Sequence, residues 1–201
     1  MNRNIAQVLS YLFHPAVYPV LGVLAVLQFS PYHVPGTILI LTLSLVFVGT
    51  YIIPLALSYA LHRAGYIQSL EMLRAKDRRL PYLIGALCYY VVATLIKQIQ
   101  LPVQAYLYLI ASTLVIILHL FTLSRTKPSA HLGGIGGFTG LLMALSLQYS
   151  LNLLPQLVLS ILMAGLLASA RLALKAHQYG ELALGYFSGL LVVFGVVYWV
   201  G

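Results

Sequence analysis

Seven long apolar windows divide this chain, at residues 12 to 30, 36 to 61, 82 to 99, 103 to 124, 132 to 150, 153 to 170 and 182 to 200. Six contain no acid or base, and the third carries only Lys97, near its end. A helix that crosses bilayer hydrocarbon needs about 20 mostly apolar residues, and each window is of that order. Inside hydrocarbon every backbone N–H and C=O must be paired within the protein, which leaves helices and closed barrels as the only crossing forms. Runs this long and this apolar select the helix. The punctuation between them, including Pro31, Pro35, Pro102 and Pro155, is short, so successive helices run antiparallel. The expected fold class is all-α, a polytopic transmembrane helical bundle of six to seven spans with seven preferred, forming a single domain over residues 1–201.

Composition agrees. Of 201 residues, 61% are apolar and 7% charged, against about 25% charged in soluble domains. With mean hydropathy at +0.96, a water-soluble fold would expose far more apolar surface than such proteins carry, which excludes a soluble enzyme. The net charge of +8 comes from 11 Lys and Arg against 3 Asp and Glu. In a lipid-embedded chain such an excess sets orientation and equips anion sites, and no nucleic-acid partner is expected. Cys88 is the single cysteine, so no intrachain disulfide forms. The first apolar run lacks a convincing small-residue cleavage site and reads as a retained helix entered at His14 and Pro15. Gly133, Gly134, Gly136, Gly137 and Gly140, with Gly185 and Gly189 four apart, mark close helix contacts. Gly133 and Gly134 also follow His131 closely enough to floor a ligand site.

The bases are not spread evenly. Apart from Lys97, every Lys and Arg falls at Arg3, within 63 to 79, within 125 to 127, or within 171 to 175. Two crossings separate each place from the next, so all four emerge on one side of the membrane. The positive-inside rule makes that side cytoplasmic, in a multi-pass protein of a bacterial-type cytoplasmic membrane. The same side holds His131, His177 and Glu181. Such a convergence of Arg, Lys, His and Glu can form a pocket for an anionic headgroup whose tails stay in lipid, whereas a lone interfacial base merely snorkels to the headgroups.

Two segments carry the chemistry. One is Lys127-Pro128-Ser129-Ala130-His131; in the other, Arg171 precedes His177 by six residues and Glu181 follows it by four. Residues four apart share a helix face, so Glu181 is placed to accept from one ring nitrogen of His177 and leave the other as a free lone pair, which is a nucleophile.

These segments resemble the signatures of the type 2 phosphatidic acid phosphatase superfamily, in its integral-membrane lipid phosphate phosphatase branch. Bacterial acid phosphatases and vanadium haloperoxidases belong to the same superfamily. Its signatures are K-x6-R-P, P-S-G-H and S-R-x5-H-x3-D. The second reads here Pro128-Ser129-Ala130-His131, with Ala for Gly; the third keeps the spacing of Arg171, His177 and Glu181, with Ala170 for Ser and Glu for Asp. Around Lys76-Asp77-Arg78-Arg79-Leu80-Pro81 the first signature keeps its residue types but not its spacing. The resemblance covers about residues 74–190. It implies a metal-independent phosphatase, without cofactor, acting on a lipid phosphate such as phosphatidate, phosphatidylglycerol phosphate or a polyprenyl diphosphate. It further implies that His177 attacks phosphorus to give a phosphohistidine while Glu181 orients its ring, and that His131 protonates the departing alcohol and later activates water. Arg171 would grip the phosphoryl oxygens with the backbone at Ser129 and Ala130, and Lys76 and Arg79 are the candidate first-signature cations.

The remaining polar residues have plainer readings. His119 and Tyr108 fall in the fourth window, where a histidine serves either function or an interhelical hydrogen bond. His14, His33 and His62 sit at span ends as interfacial residues. Residues 63 to 79 are expected to lie on the membrane as an amphipathic helix, with Ile67, Leu70 and Leu73 inward and Arg74 and Arg78 toward the headgroups. The altered Gly, Ser and Asp positions support an alternative function, a non-catalytic relative that binds or transports anionic lipids. A scaffold with no pocket is a third. Oligomeric state is not written in the sequence.

Overall fold

The computed structural model describes every residue except Glu71 and Leu73. Among the described residues the fold is all helical, with seven helical segments long and apolar enough to cross a membrane, at Arg3–Phe29, Gly36–Arg63, Ala75–Lys97, Val103–Thr122, Ala130–Gln148, Leu154–Ala173 and Tyr179–Val200. The chain is thus an integral multi-pass membrane protein.

The first two spans are each interrupted. α1 (Arg3–Leu12) is capped by the Asn2 side chain and stops at Phe13. His14 then opens a 3-10 turn at Pro15–Val17 by accepting the Ala16 N–H on Nδ1, and α2 (Tyr18–Phe29) resumes the crossing. Pro15 fits there because the first turn of a helix has no acceptor for the N–H that proline lacks. The second span joins α3 (Gly36–Phe47) to α4 (Ile53–Arg63) through a π-helical turn at Val48–Ile52. Pro54 has no N–H to return to the preceding turn, and the ladder loosens there.

Five uninterrupted spans follow: α5 (Ala75–Lys97), α6 (Val103–Thr122), α7 (Ala130–Gln148), α8 (Leu154–Ala173) and α9 (Tyr179–Val200). α5 starts at Ala75, seven residues before the apolar window, and so takes in Lys76, Asp77, Arg78 and Arg79. Among the described residues of 63 to 79 there is no separate surface helix: α4 ends at Arg63 and α5 begins at Ala75. Gly65 has a left-handed φ of +79°, and His62 Nδ1 donates to the Ile67 carbonyl at 3.1 Å. Asp77 accepts the Gln68 N–H at 3.3 Å. These bonds hold a turn in which Ile67 points inward as expected, while Leu70 is exposed and Arg78 is buried. Leu73 lies outside the described residues.

α7 is the most buried span, and its glycines explain why. A Cβ on Gly136 would lie 2.1 Å from the Tyr186 carbonyl oxygen, and one on Gly189 would lie 2.1 Å from that of Gly133. Backbone therefore meets backbone along the α7–α9 seam, where dispersion takes over the role that hydrophobic burial plays in water. Elsewhere the helices are tied by polar groups: the Tyr108 hydroxyl donates to the Tyr18 carbonyl at 2.9 Å, and His119 Nε2 bonds Ser188 Oγ at 2.8 Å. His119 thus makes the interhelical bond that was one of its two readings.

Candidate functional site

At the basic end of the bundle, three connectors bring the chemistry-bearing segments together. Glu181 is the hub. It lies in the first turn of α9, where a carboxylate favours the exposed N–H groups of the helix start, and it forms a capping box with Gln178. Its Oε2 accepts from the Gln178 N–H at 3.1 Å and from His177 Nδ1 at 3.0 Å. Its Oε1 accepts from the Lys127 N–H at 3.4 Å. One carboxylate therefore orients the imidazole and pins the α6–α7 connector against α9.

A carboxylate can only accept, so His177 Nδ1 carries the proton and Nε2 keeps the lone pair. The ring is buried. Burial, reinforced by the Arg78 guanidinium and opposed by the bond to Glu181, pushes its pKa down to about 4. It is neutral at pH 7, with its free nitrogen in the field of Arg78 and Arg171.

Arg171 closes the other side. It stands in the last turn of α8, where NH1 donates to Ser10 Oγ at 3.3 Å. Its Nε is buried without a partner, and such a donor is costly to leave unmade. His131, in the first turn of α7, bonds through Nε2 to the Ser10 carbonyl at 3.1 Å. A carbonyl can only accept, so Nε2 carries the His131 proton. Arg171 and Arg78 are close enough for their positive charges to repel one another.

Ser129 caps α7, accepting the Leu132 N–H on Oγ at 3.4 Å, and its own N–H donates to the Glu181 carbonyl at 3.0 Å. That amide, expected on phosphate, is committed to α9. The Ala130 and His131 amides, at the first two positions of α7, have no intrahelical acceptor. Ala130 also lines a cavity of about 190 Å³ that runs among Tyr82, Tyr89, Tyr108 and His119, with His14 on its wall.

The structure therefore gathers His131, His177, Glu181, Arg171, Ser129 and Ala130 at one end. It does not gather Lys76 or Arg79, which are exposed on the outer face of α5. The cation that enters from this helix is Arg78, 7% exposed. Its Nε donates to the Met72 carbonyl at 2.8 Å and its NH1 to the Pro128 carbonyl at 3.3 Å. Helical phase carries the signal: Arg78 continues the buried stripe of Gly85, Tyr89, Val92 and Ile96, whereas Arg79 is turned by 100°. Ser10 and His14 were also not singled out for the site, and no local pattern marks them, because they reach it through the broken first span. A search of family models, curated proteins and solved structures returns no match to this chain.

Proposed function

We propose that this protein is a membrane-embedded, metal-independent phosphatase that hydrolyses a lipid phosphate, such as phosphatidate, phosphatidylglycerol phosphate or a polyprenyl diphosphate, through a phosphohistidine. One observation carries the reading. His177 is held by Glu181 on Nδ1 at 3.0 Å and is neutral, and the charges of Arg78 and Arg171 act on its ring.

The His177 Nε2 lone pair attacks phosphorus, and the bond from phosphorus to the lipid oxygen breaks. His131 enters the step as an imidazolium, its Nε2 proton kept on the Ser10 carbonyl, and gives the departing oxygen the second proton, from Nδ1. Water then attacks the phosphohistidine, surrendering a proton to His131, and phosphate leaves as the nitrogen–phosphorus bond breaks. Phosphoryl transfer needs mainly positioning and neutralisation of oxygen charge. Arg171 and Arg78 supply that charge, and the α7 N-terminal amides add donors. By the loop charge bias, the site faces the cytoplasm.

A non-catalytic anionic-lipid binder or transporter is the second reading, favoured by the engagement of both His131 and Arg171 with Ser10. Phosphate release from detergent-solubilised phosphatidate by purified protein separates the two. The enzyme reading expects release that His177→Ala abolishes, together with acid-labile labelling of His177 by radiolabelled phosphate. Release at an equal rate from His177→Ala would refute the nucleophile.

A further inference from the structure

The first span breaks where the polar site meets the apolar cavity, and the break points one imidazole at the junction. His14 Nδ1 accepts the Ala16 N–H at 3.3 Å, so the proton of the neutral ring sits on Nε2. No described residue bonds that Nε2. The ring stands edge-on to His131, with centroids 5.7 Å apart, and within the field of Arg171. Its other neighbour is Tyr51, at 5.9 Å, carried on the π-helical turn of the second span. Beyond His14 the cavity wall turns to Tyr89, Tyr108, Val115 and Val193.

A phosphorylated amphiphile gripped by Arg171 and His131, with its chain in this cavity, would present to His14 whatever follows the phosphoryl group. Resting on the phosphate-site reading above, we propose that His14 is a specificity-determining residue. Its Nε2–H donates to an oxygen acceptor on the chain side of the gripped phosphoryl group. The ligand class is therefore a phosphorylated lipid with such an acceptor, either a glycerol ester or a second phosphoryl group, as distinct from a simple alkyl phosphate. A donor built for an acceptor rejects ligands that lack one, because its N–H is then left unpaired in the complex.

The test compares the binding of dodecyl phosphate, dodecyl diphosphate and didecanoyl phosphatidate in detergent, by thermal stabilisation of the full chain. His14→Asn retains an acceptor for the Ala16 N–H, since Asn caps turns well, but has no donor at the Nε2 position. His14→Gln restores an N–H near that position. Wild type is expected to prefer the diphosphate or the phosphatidate over dodecyl phosphate by about tenfold, and whichever is preferred identifies the acceptor. His14→Asn is expected to lose that preference while binding dodecyl phosphate within about twofold, and His14→Gln to recover part of it. Equal binding of all three ligands by wild type overturns the proposal, as does an equal loss for all three in His14→Asn. If Arg171→Gln binds all three as wild type does, the phosphate site itself fails and this proposal with it.

Discussion

His131 donates from Nε2 to the backbone carbonyl of Ser10 across 3.1 Å, which ties the fifth span to the first. The hydroxyl of the same serine accepts from Arg171 at 3.3 Å. Two oxygens of one buried residue thus occupy donors that a phosphoryl group would use. Ser10→Ala removes one competitor and leaves Arg171 with a second unmade donor beside Nε. Affinity for orthovanadate, read as the concentration for half-maximal thermal stabilisation, is expected to rise about threefold, with a loss of about 1 kcal/mol in stability of the unliganded protein. Weaker vanadate binding would show instead that Ser10 helps to hold the anion.

Acid should weaken this protein through His177. Its pKa is depressed to about 4 in the fold by burial and by Arg78, against about 6.5 in an unfolded chain. Below 6.5 the unfolded chain binds the additional proton, so the contribution of His177 to stability is complete above that pH and is lost as pH falls toward 4. The loss is on the order of 3 kcal/mol from this group. Thermal unfolding in detergent between these limits should show it, and His177→Gln should flatten that part of the curve. For activity, the acid limb of kcat/KM is expected near pH 4, because attack needs only the neutral ring. Arg78→Gln should move that limb upward.

Arg78 and Arg79 are adjacent in sequence and face opposite environments. Arg78→Gln is expected to weaken phosphate or vanadate binding by about tenfold or more, from the lost charge beside His177. It also breaks the bonds to Met72 and Pro128, so unfolding is followed in parallel. Arg79→Gln should weaken binding far less. An equal effect of the two would contradict the inward placement of Arg78.

Glu181→Gln keeps an acceptor for His177 but brings an amide N–H₂ where three N–H groups now converge. At least one of them loses its partner. The expected result is a kcat lower by about 10- to 100-fold, with lipid binding little changed, and a stability loss of about 1 to 2 kcal/mol as the capping box fails. A fall in affinity with kcat preserved would assign Glu181 to structure alone.

The α7–α9 seam yields a paired test. Gly189→Ala forces a methyl to within 2.1 Å of the Gly133 carbonyl, whereas Gly165→Ala meets nothing within 4 Å. The first should cost about 1 to 3 kcal/mol or more in detergent unfolding. The second should be neutral or slightly stabilising, since alanine favours the helix.

Hydropathy alone marked the seven helices long and apolar enough to cross, because a run of about 20 apolar residues matches the hydrocarbon thickness and a helix pairs its backbone within that run. The location of ten bases at one end followed by counting crossings. The bond between Glu181 and His177 was expected from helical spacing, but His177 precedes α9, and the bond forms because Glu181, third in that helix, reaches back over its start. These are local properties of the chain. Tertiary structure decided which cation enters the site, since Lys76, Arg78 and Arg79 differ in helical phase and only packing against the α6–α7 connector turns Arg78 inward. It also decided that the Ser129 amide serves α9, and that Ser10 and His14 reach the site from a span carrying none of its signatures. Such contacts join residues 50 or more positions apart, 121 in the case of His131 and Ser10. They form only where helix breaks and glycine seams bring backbones close, which no run of neighbouring residues records.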